Sequence, residues 1–174
     1  GLRFESLPGY AFNLRGAFDS FTIRSCSICN GATHGIYYEG PAFRNNCVPV
    51  IEHCDFYGNS GSGIRAGYNN GFIIRNCSFV NNREYGFQRN DGYYSPMILE
   101  NNLFYGNVAG LKRGGYPDNP LYLSAAALNA AQPILPAGYV PRAYTNNVDL
   151  SPLYVNASSW DFTVLYAGSG LTNR

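Results

Sequence analysis

Phe72-Ile73-Ile74-Arg75-Asn76-Cys77-Ser78-Phe79 is the stretch whose reading decides the fold. Three others align with it without gaps: Phe21-Thr22-Ile23-Arg24-Ser25-Cys26-Ser27-Ile28, Pro49-Val50-Ile51-Glu52-His53-Cys54-Asp55-Phe56 and Met97-Ile98-Leu99-Glu100-Asn101-Asn102-Leu103-Phe104. Each leads into an asparagine-bearing turn (Asn30; Asn59; Asn81-Asn82; Asn107) and then a glycine with an apolar residue, Gly35-Ile36, Gly63-Ile64, Gly86-Phe87 and Gly110-Leu111. From Cys26 to Cys54, Cys77 and Asn102 the period is 28, 23 and 25 residues. Such self-similarity marks a stacked repeat architecture. Each period holds two or three short strand-like runs and no helical stretch, unlike a leucine-rich repeat. One period is therefore one coil of a β-solenoid, paired with the next across about 4.8 Å.

Alternation assigns the faces. Phe21, Ile23, Cys26 and Ile28 point inward, and the step of three between Ile23 and Cys26 demands a one-residue bend. That position carries Ser25, His53, Asn76 and Asn101. Asparagine tolerates a left-handed backbone, and stacked asparagines at a bend can hydrogen-bond along the axis. The inward rows read Ile23/Ile51/Ile74/Leu99, Cys26/Cys54/Cys77/Asn102, Ile28/Phe56/Phe79/Phe104 and Ile36/Ile64/Phe87/Leu111. Outward, Arg24, Glu52, Arg75 and Glu100 alternate in sign, a charge ladder on an exposed face that fixes register.

Composition agrees. The 174 residues are 45% hydrophobic but only 13% charged, with 20 glycines and 15 tyrosines, a mix suited to turn-dense β structure. A net charge of +1 gives no electrostatic case for nucleic acid. No window approaches the roughly 18 apolar residues of a membrane span. The start lacks an initiator methionine and a secretory pattern, so a piece of a longer protein is expected. Five cysteines, Cys26, Cys29, Cys47, Cys54 and Cys77, are an odd count and no disulfide framework. The CxxC of Cys26 and Cys29 has no second pair to complete a zinc site. Three of the five fall in one inward row, as free, buried thiols.

These coils resemble those of right-handed parallel β-helix proteins, the pectate-lyase-like superfamily of polysaccharide lyases, glycosidases and phage tailspikes. The resemblance covers roughly residues 9–114 and implies an all-β parallel β-helix of about four to five coils, here its C-terminal portion. Coils are expected over 1–116 and a capping region of the same domain over 117–174. The cap contains one short helix, residues 124–131, started by Ser124 and ended before Pro133. Ser151-Pro152-Leu153-Tyr154-Val155, Asp161-Phe162 and Gly168-Ser169 are similar to a segment that closes secreted and phage β-helices. A cap is required because an open solenoid end exposes strand edges. The outward apolar row Val50/Ile73/Ile98 also needs cover, from residues 117–147 or a neighbouring subunit.

The clustered calcium-binding aspartates and the NTD, DD, GHG and RIK motifs of catalytic relatives are absent, and no metal or cofactor is expected. Thr33-His34-Gly35 only superficially matches GHG and reads as a turn. Of the acids Glu39, Asp55, Glu84 and Asp91, the pair Glu39 and Asp91 follows the glycine-apolar strand two coils apart. At roughly 10 Å they stand at the edge of an inverting hydrolase geometry; solvated loop acids are the blander reading. The more suggestive surface follows each repeat glycine: Tyr37 and Tyr38, Arg65 with Tyr68, Gln88 and Arg89, Lys112 and Arg113, with Tyr93 and Tyr94 in the adjoining loop. Aromatic faces and arginine donors suit acidic or neutral glycans, although a solvated face or subunit interface gives the same pattern. Of the sequons at Asn76 and Asn156, the first falls on a bend where the asparagine has a structural task.

The expected function is a non-catalytic module of a phage tail spike or fibre, or of a similar virion- or cell-surface protein. It is expected to be extracellular, trimeric and in contact with a carbohydrate or receptor. The alternatives are the C-terminal part of a secreted polysaccharide lyase or glycoside hydrolase, and an architectural shell or filament subunit.

Overall fold

The computed structural model describes residues 1–15, 20–39, 48–67, 72–90, 97–114, 121–130, 142–151, 154–156 and 161–164. The chain winds through three strands per turn. A first turn holds β1 (Arg3–Glu5), β2 (Phe12–Arg15) and β3 (Thr22–Arg24); a second, β4 (Ser27–Cys29), β5 (Ile36–Glu39) and β6 (Val50–Glu52). A third holds β7 (Asp55–Tyr57), β8 (Ile64–Ala66) and β9 (Phe72–Arg75); a fourth, β10 (Ser78–Val80), β11 (Tyr85–Asn90) and β12 (Met97–Glu100). Then follow β13 (Leu103–Tyr105), β14 (Ala109–Gly114), β15 (Leu121–Tyr122), α1 (Ala125–Ala130) and β16 (Arg142–Thr145). Stacking yields three sheets, β1-β4-β7-β10-β13, β2-β5-β8-β11-β14-β15 and β3-β6-β9-β12-β16. Pairing is parallel apart from β15 on β14, and a separate antiparallel pair is formed by β17 (Tyr154–Asn156) and β18 (Asp161–Val164). Three turns, β4 to β12, have a neighbour on both sides, slightly fewer than the four to five coils expected.

Each turn contains two left-handed bends. The first row is Ser25, His53, Asn76, Asn101 and Asn146, with φ of 53 to 55°. The second is Ser6, Asn30, Gly58, Asn81 and Gly106, with φ of 49 to 66°. A left-handed residue turns the chain, and its N–H is donated to the next turn, as from Ser25 to Glu52 O (3.1 Å) and from Asn30 to Tyr57 O (2.8 Å). Gly58, at φ +63°, takes the left-handed position without strain, and the Asn30 side chain packs over the space a Cβ would occupy.

The residue after each bend points inward and stacks on its counterparts. After the first bend come Cys26, Cys54 and Cys77, free and buried, each thiol reaching the carbonyl two residues back at 3.3 Å. Asn102 and Asn147 continue that row. Asn102 Nδ2 donates to Ile74 O and Asn147 Oδ1, and Asn147 Nδ2 to Leu99 O and to Asn129 Oδ1 on α1. After the second bend come Gly31, Asn59, Asn82 and Asn107. Asn59 Nδ2 donates to Asn82 Oδ1 (2.8 Å), and Asn82 Nδ2 to Phe56 O (3.1 Å) and Asn107 Oδ1 (2.9 Å). The side-chain ladders thus run one residue beyond the bend position where stacked asparagines were expected. Buried carboxamides satisfy one another and the bend carbonyls, as burial demands.

The core is continuous along the axis. Ile23, Ile51, Ile74, Leu99 and Tyr144 stack in register, and all five are buried. Phe56, Phe79 and Phe104 stack face to face at 4.9 and 5.1 Å. That stack explains the repeat glycine: a Cβ on Gly86 would lie 2.6 Å from the Phe104 ring and 2.9 Å from Gly110 O.

At the C-terminal end the helix caps the prism. Ser124 Oγ accepts from Ala127 N–H, the Asp149 carboxylate accepts from Ala125 N–H, and Leu128 is buried. Beyond residue 116, where coils were expected to end, Arg142–Thr145 adds a fifth strand to the third sheet and Val148 bridges to Leu103. The pattern Tyr144-Thr145-Asn146-Asn147 repeats Leu99-Glu100-Asn101-Asn102 after the intervening helix.

The charge ladder forms between Arg24, Glu52 and Arg75, at 2.5 and 2.7 Å. Glu52 is only 4% exposed, so the two arginines cover a carboxylate that was expected on an open face. The Arg75 hydrogen bond holds its carboxyl below the usual carboxylate range.

Asn82→Ala should cost about 3 kcal/mol, because it orphans buried groups on both neighbouring turns. Asn107→Ala, at the half-exposed end of the ladder, should cost about 1 kcal/mol. Urea midpoints at constant m-value measure both, and equal small losses would contradict a continuous ladder.

Candidate functional site

The outward row of the second sheet is Asn13, Tyr37, Arg65 and Gln88, in register across four strands, and Lys112 follows in register on β14 with its side chain outside the described residues. Strict alternation then turns the next residues inward. Tyr38 is fully buried, packed edge-on against Phe72 at 6.2 Å. Arg89 is 1% exposed and shares that inward row with the small Ala66. Both were expected on the glycan-facing surface, and period-two geometry removes them from it. Arg113 lies opposite Arg89 on β14, but its side chain is outside the described residues. Tyr68, Asp91, Tyr93, Tyr94 and Cys47 also lie outside them.

What remains gathers partners that the repeat reading passed over. Tyr10, His34 and Ser62 occupy equivalent places just before successive second-sheet strands. Tyr10 stacks on Tyr37 at 4.8 Å and 15°. The His34 ring is nearly parallel to both, at 6.0 and 6.1 Å. The Arg65 guanidinium lies 5.8 Å from the Tyr37 ring centre, a cation–π arrangement. Glu39 is exposed and accepts a hydrogen bond from Tyr37; burial, and after it this bond, raise the phenol above its ordinary value.

His34 is more than a turn residue. It is 7% exposed, and its Nδ1 accepts from Ser62 N–H at 2.8 Å. Its Nε2 stands 3.2 Å from Arg65 Nη1. Glu84 Oε2 is 3.7 Å from Nδ1 and accepts from Ser62 Oγ at 3.1 Å. Ser62 therefore bonds histidine through its amide and a carboxylate through its hydroxyl, which is no nucleophile–base pair. Burial lowers the imidazole below its ordinary value, Arg65 lowers it further, and Glu84 opposes both.

Among the other described residues the chemistry is quiet. Burial pushes the Cys29 thiol up to about 12, far from a reactive thiolate. Among the described residues no three His, Cys, Asp or Glu side chains gather to hold a metal ion. No described helix is long and apolar enough to cross a membrane. A shallow cleft of about 300 Å³ beside Tyr105, Asn107, Leu123 and Asp149 lies against the cap; its carboxylate is the one engaged by α1.

A family model described as right handed beta helix region matches residues 2–122. No curated protein and no solved structure matches the chain.

The depressed imidazole fixes a pH dependence. The unfolded chain takes up the proton near the ordinary value of about 6.5, the folded chain only lower. Stability from neutral His34 is thus complete above about 6.5 and lost as pH falls through the folded value. The His34 ring resonances should titrate below 6.5; a midpoint at or above it would contradict the buried, amide-bonded ring.

Proposed function

The chain belongs to the right-handed β-helix family, and on that premise we propose that it is a non-catalytic, carbohydrate-contacting module. Its setting is a phage tail spike or fibre, or a similar virion- or cell-surface protein outside the cell. The observation that carries this reading is the Tyr10–Tyr37 stack with Arg65 over it, on the outward row of a rigid sheet. Flat aromatic faces receive the C–H face of a sugar, and the guanidinium supplies fixed donors beside it. Parallel strands hold Tyr37 and Arg65 in register, so little order of these two residues is lost on binding.

A second surface supports self-association. Thr22, Val50, Ile73, Ile98 and Ala143 form one outward row of the third sheet, and the apolar three are half-buried. We assign this row to a homotrimer contact.

Glycan-array binding by the full chain, with Tyr37→Ala and Arg65→Ala variants, tests the first assignment. Each variant should weaken binding at least about ten-fold. Binding untouched by both would contradict it. Polysaccharide turnover that disappears in Glu39→Gln or Asp91→Asn would instead establish a lyase or hydrolase. Light scattering should give three chains per particle, reduced to one by Ile73→Asp; a monomeric parent would remove the trimer.

A further inference from the structure

Hydrogen-bond accounting around His34 leaves an excess of donors. A backbone N–H can only donate, so the Ser62 contact at 2.8 Å commits Nδ1 as acceptor. A neutral imidazole must then carry its proton on Nε2. The group that meets Nε2, at 3.2 Å, is Arg65 Nη1, and a guanidinium has no acceptor. Two N–H donors therefore converge and neither satisfies the other. The ring has no easy escape, because it is 7% exposed and held by the Ser62 amide and two tyrosine rings.

We infer that Nε2 of His34 and Arg65 form an anion site, which takes the carboxylate of an acidic sugar lying on Tyr10 and Tyr37. An oxyanion resolves the conflict by accepting from both groups, one of them charged, and such charge-assisted bonds are the stronger kind. The neighbouring carboxylates do not fill this place. Glu84 approaches the Nδ1 nitrogen and holds the Ser62 hydroxyl, and Glu39 is engaged by Tyr37. The sugar clause rests on the carbohydrate reading above; the anion clause rests on the two donors alone.

The chain has two histidines, so His34 and His53 are easily distinguished by nitrogen-15 NMR of the labelled full chain. The free protein should show His34 protonated on Nε2. Glucuronate should shift that resonance saturably and raise the pH at which His34 gains its second proton, whereas glucose should do neither. Arg65→Gln, with unchanged circular dichroism, should weaken the glucuronate effect at least about ten-fold. Inorganic sulfate is the third probe. A response to sulfate but not glucuronate supports the anion site and sinks the sugar clause. Equal responses to glucose and glucuronate overturn the anion site and leave the carbohydrate reading standing. No response to any probe, or a free tautomer protonated on Nδ1, overturns the inference outright.

Discussion

Everything in this molecule depends on a left-handed bend that passes its N–H to the next turn and sends the following residue into the core. The bend recurs twice per turn, at Ser25, His53, Asn76, Asn101 and Asn146 and again at Ser6, Asn30, Gly58, Asn81 and Gly106. A single left-handed non-glycine residue is unfavourable alone. Stacked, Ser6, Ser25, Asn30, His53, Gly58, Asn76, Asn81 and Asn101 each donate a hydrogen bond to the neighbouring turn, and the residue after each continues its inward row. Register follows from this repetition. A slip of one residue would move every core side chain onto the outer face.

The ladders differ in what they contribute. The cysteine row is apolar and compact, and its thiols need only weak acceptors. The asparagine rows are directional, since each carboxamide needs two turns in fixed register to be satisfied. Asn129 ends one of these rows from the capping helix, which closes the prism by the same chemistry that builds it. The end of the solenoid is therefore sealed by polar complementarity as well as by Leu128.

Much of this was legible in the chain. Period, core rows and first bend follow from residue spacing, because each leaves a mark at a fixed offset from Cys26, Cys54 and Cys77, and the capping helix follows from its own start at Ser124 and stop before Pro133. The second ladder was less visible, since Asn30, Gly58, Asn81 and Gly106 mix two residue types at the bend and Asn59 and Asn82 read as ordinary turn asparagines. The return of the coil at Arg142 was hidden by the intervening helix. At the candidate site, the outward placement of Tyr37 and Arg65 was legible because they follow repeat glycines. Tyr38 and Arg89 were misplaced by grouping neighbours that alternation separates. His34 was undervalued because its importance comes from the neighbouring turn, through Ser62 and Arg65, and not from its own segment.

The candidate site is a by-product of the scaffold. In-register strands put Tyr37 beside Arg65, and equivalent turn positions put Tyr10 and His34 beneath the same edge. The placement of these four residues follows from the bends and the register they impose. Native-state hydrogen exchange tests that dependence most directly. The amides of Ser25, Asn30, His53, Gly58, Asn76, Asn81 and Asn101 should be protected together, at the level of the core strands, because each is bonded to the adjacent turn. Exchange at these seven amides at the rate of exposed turn residues would contradict the account.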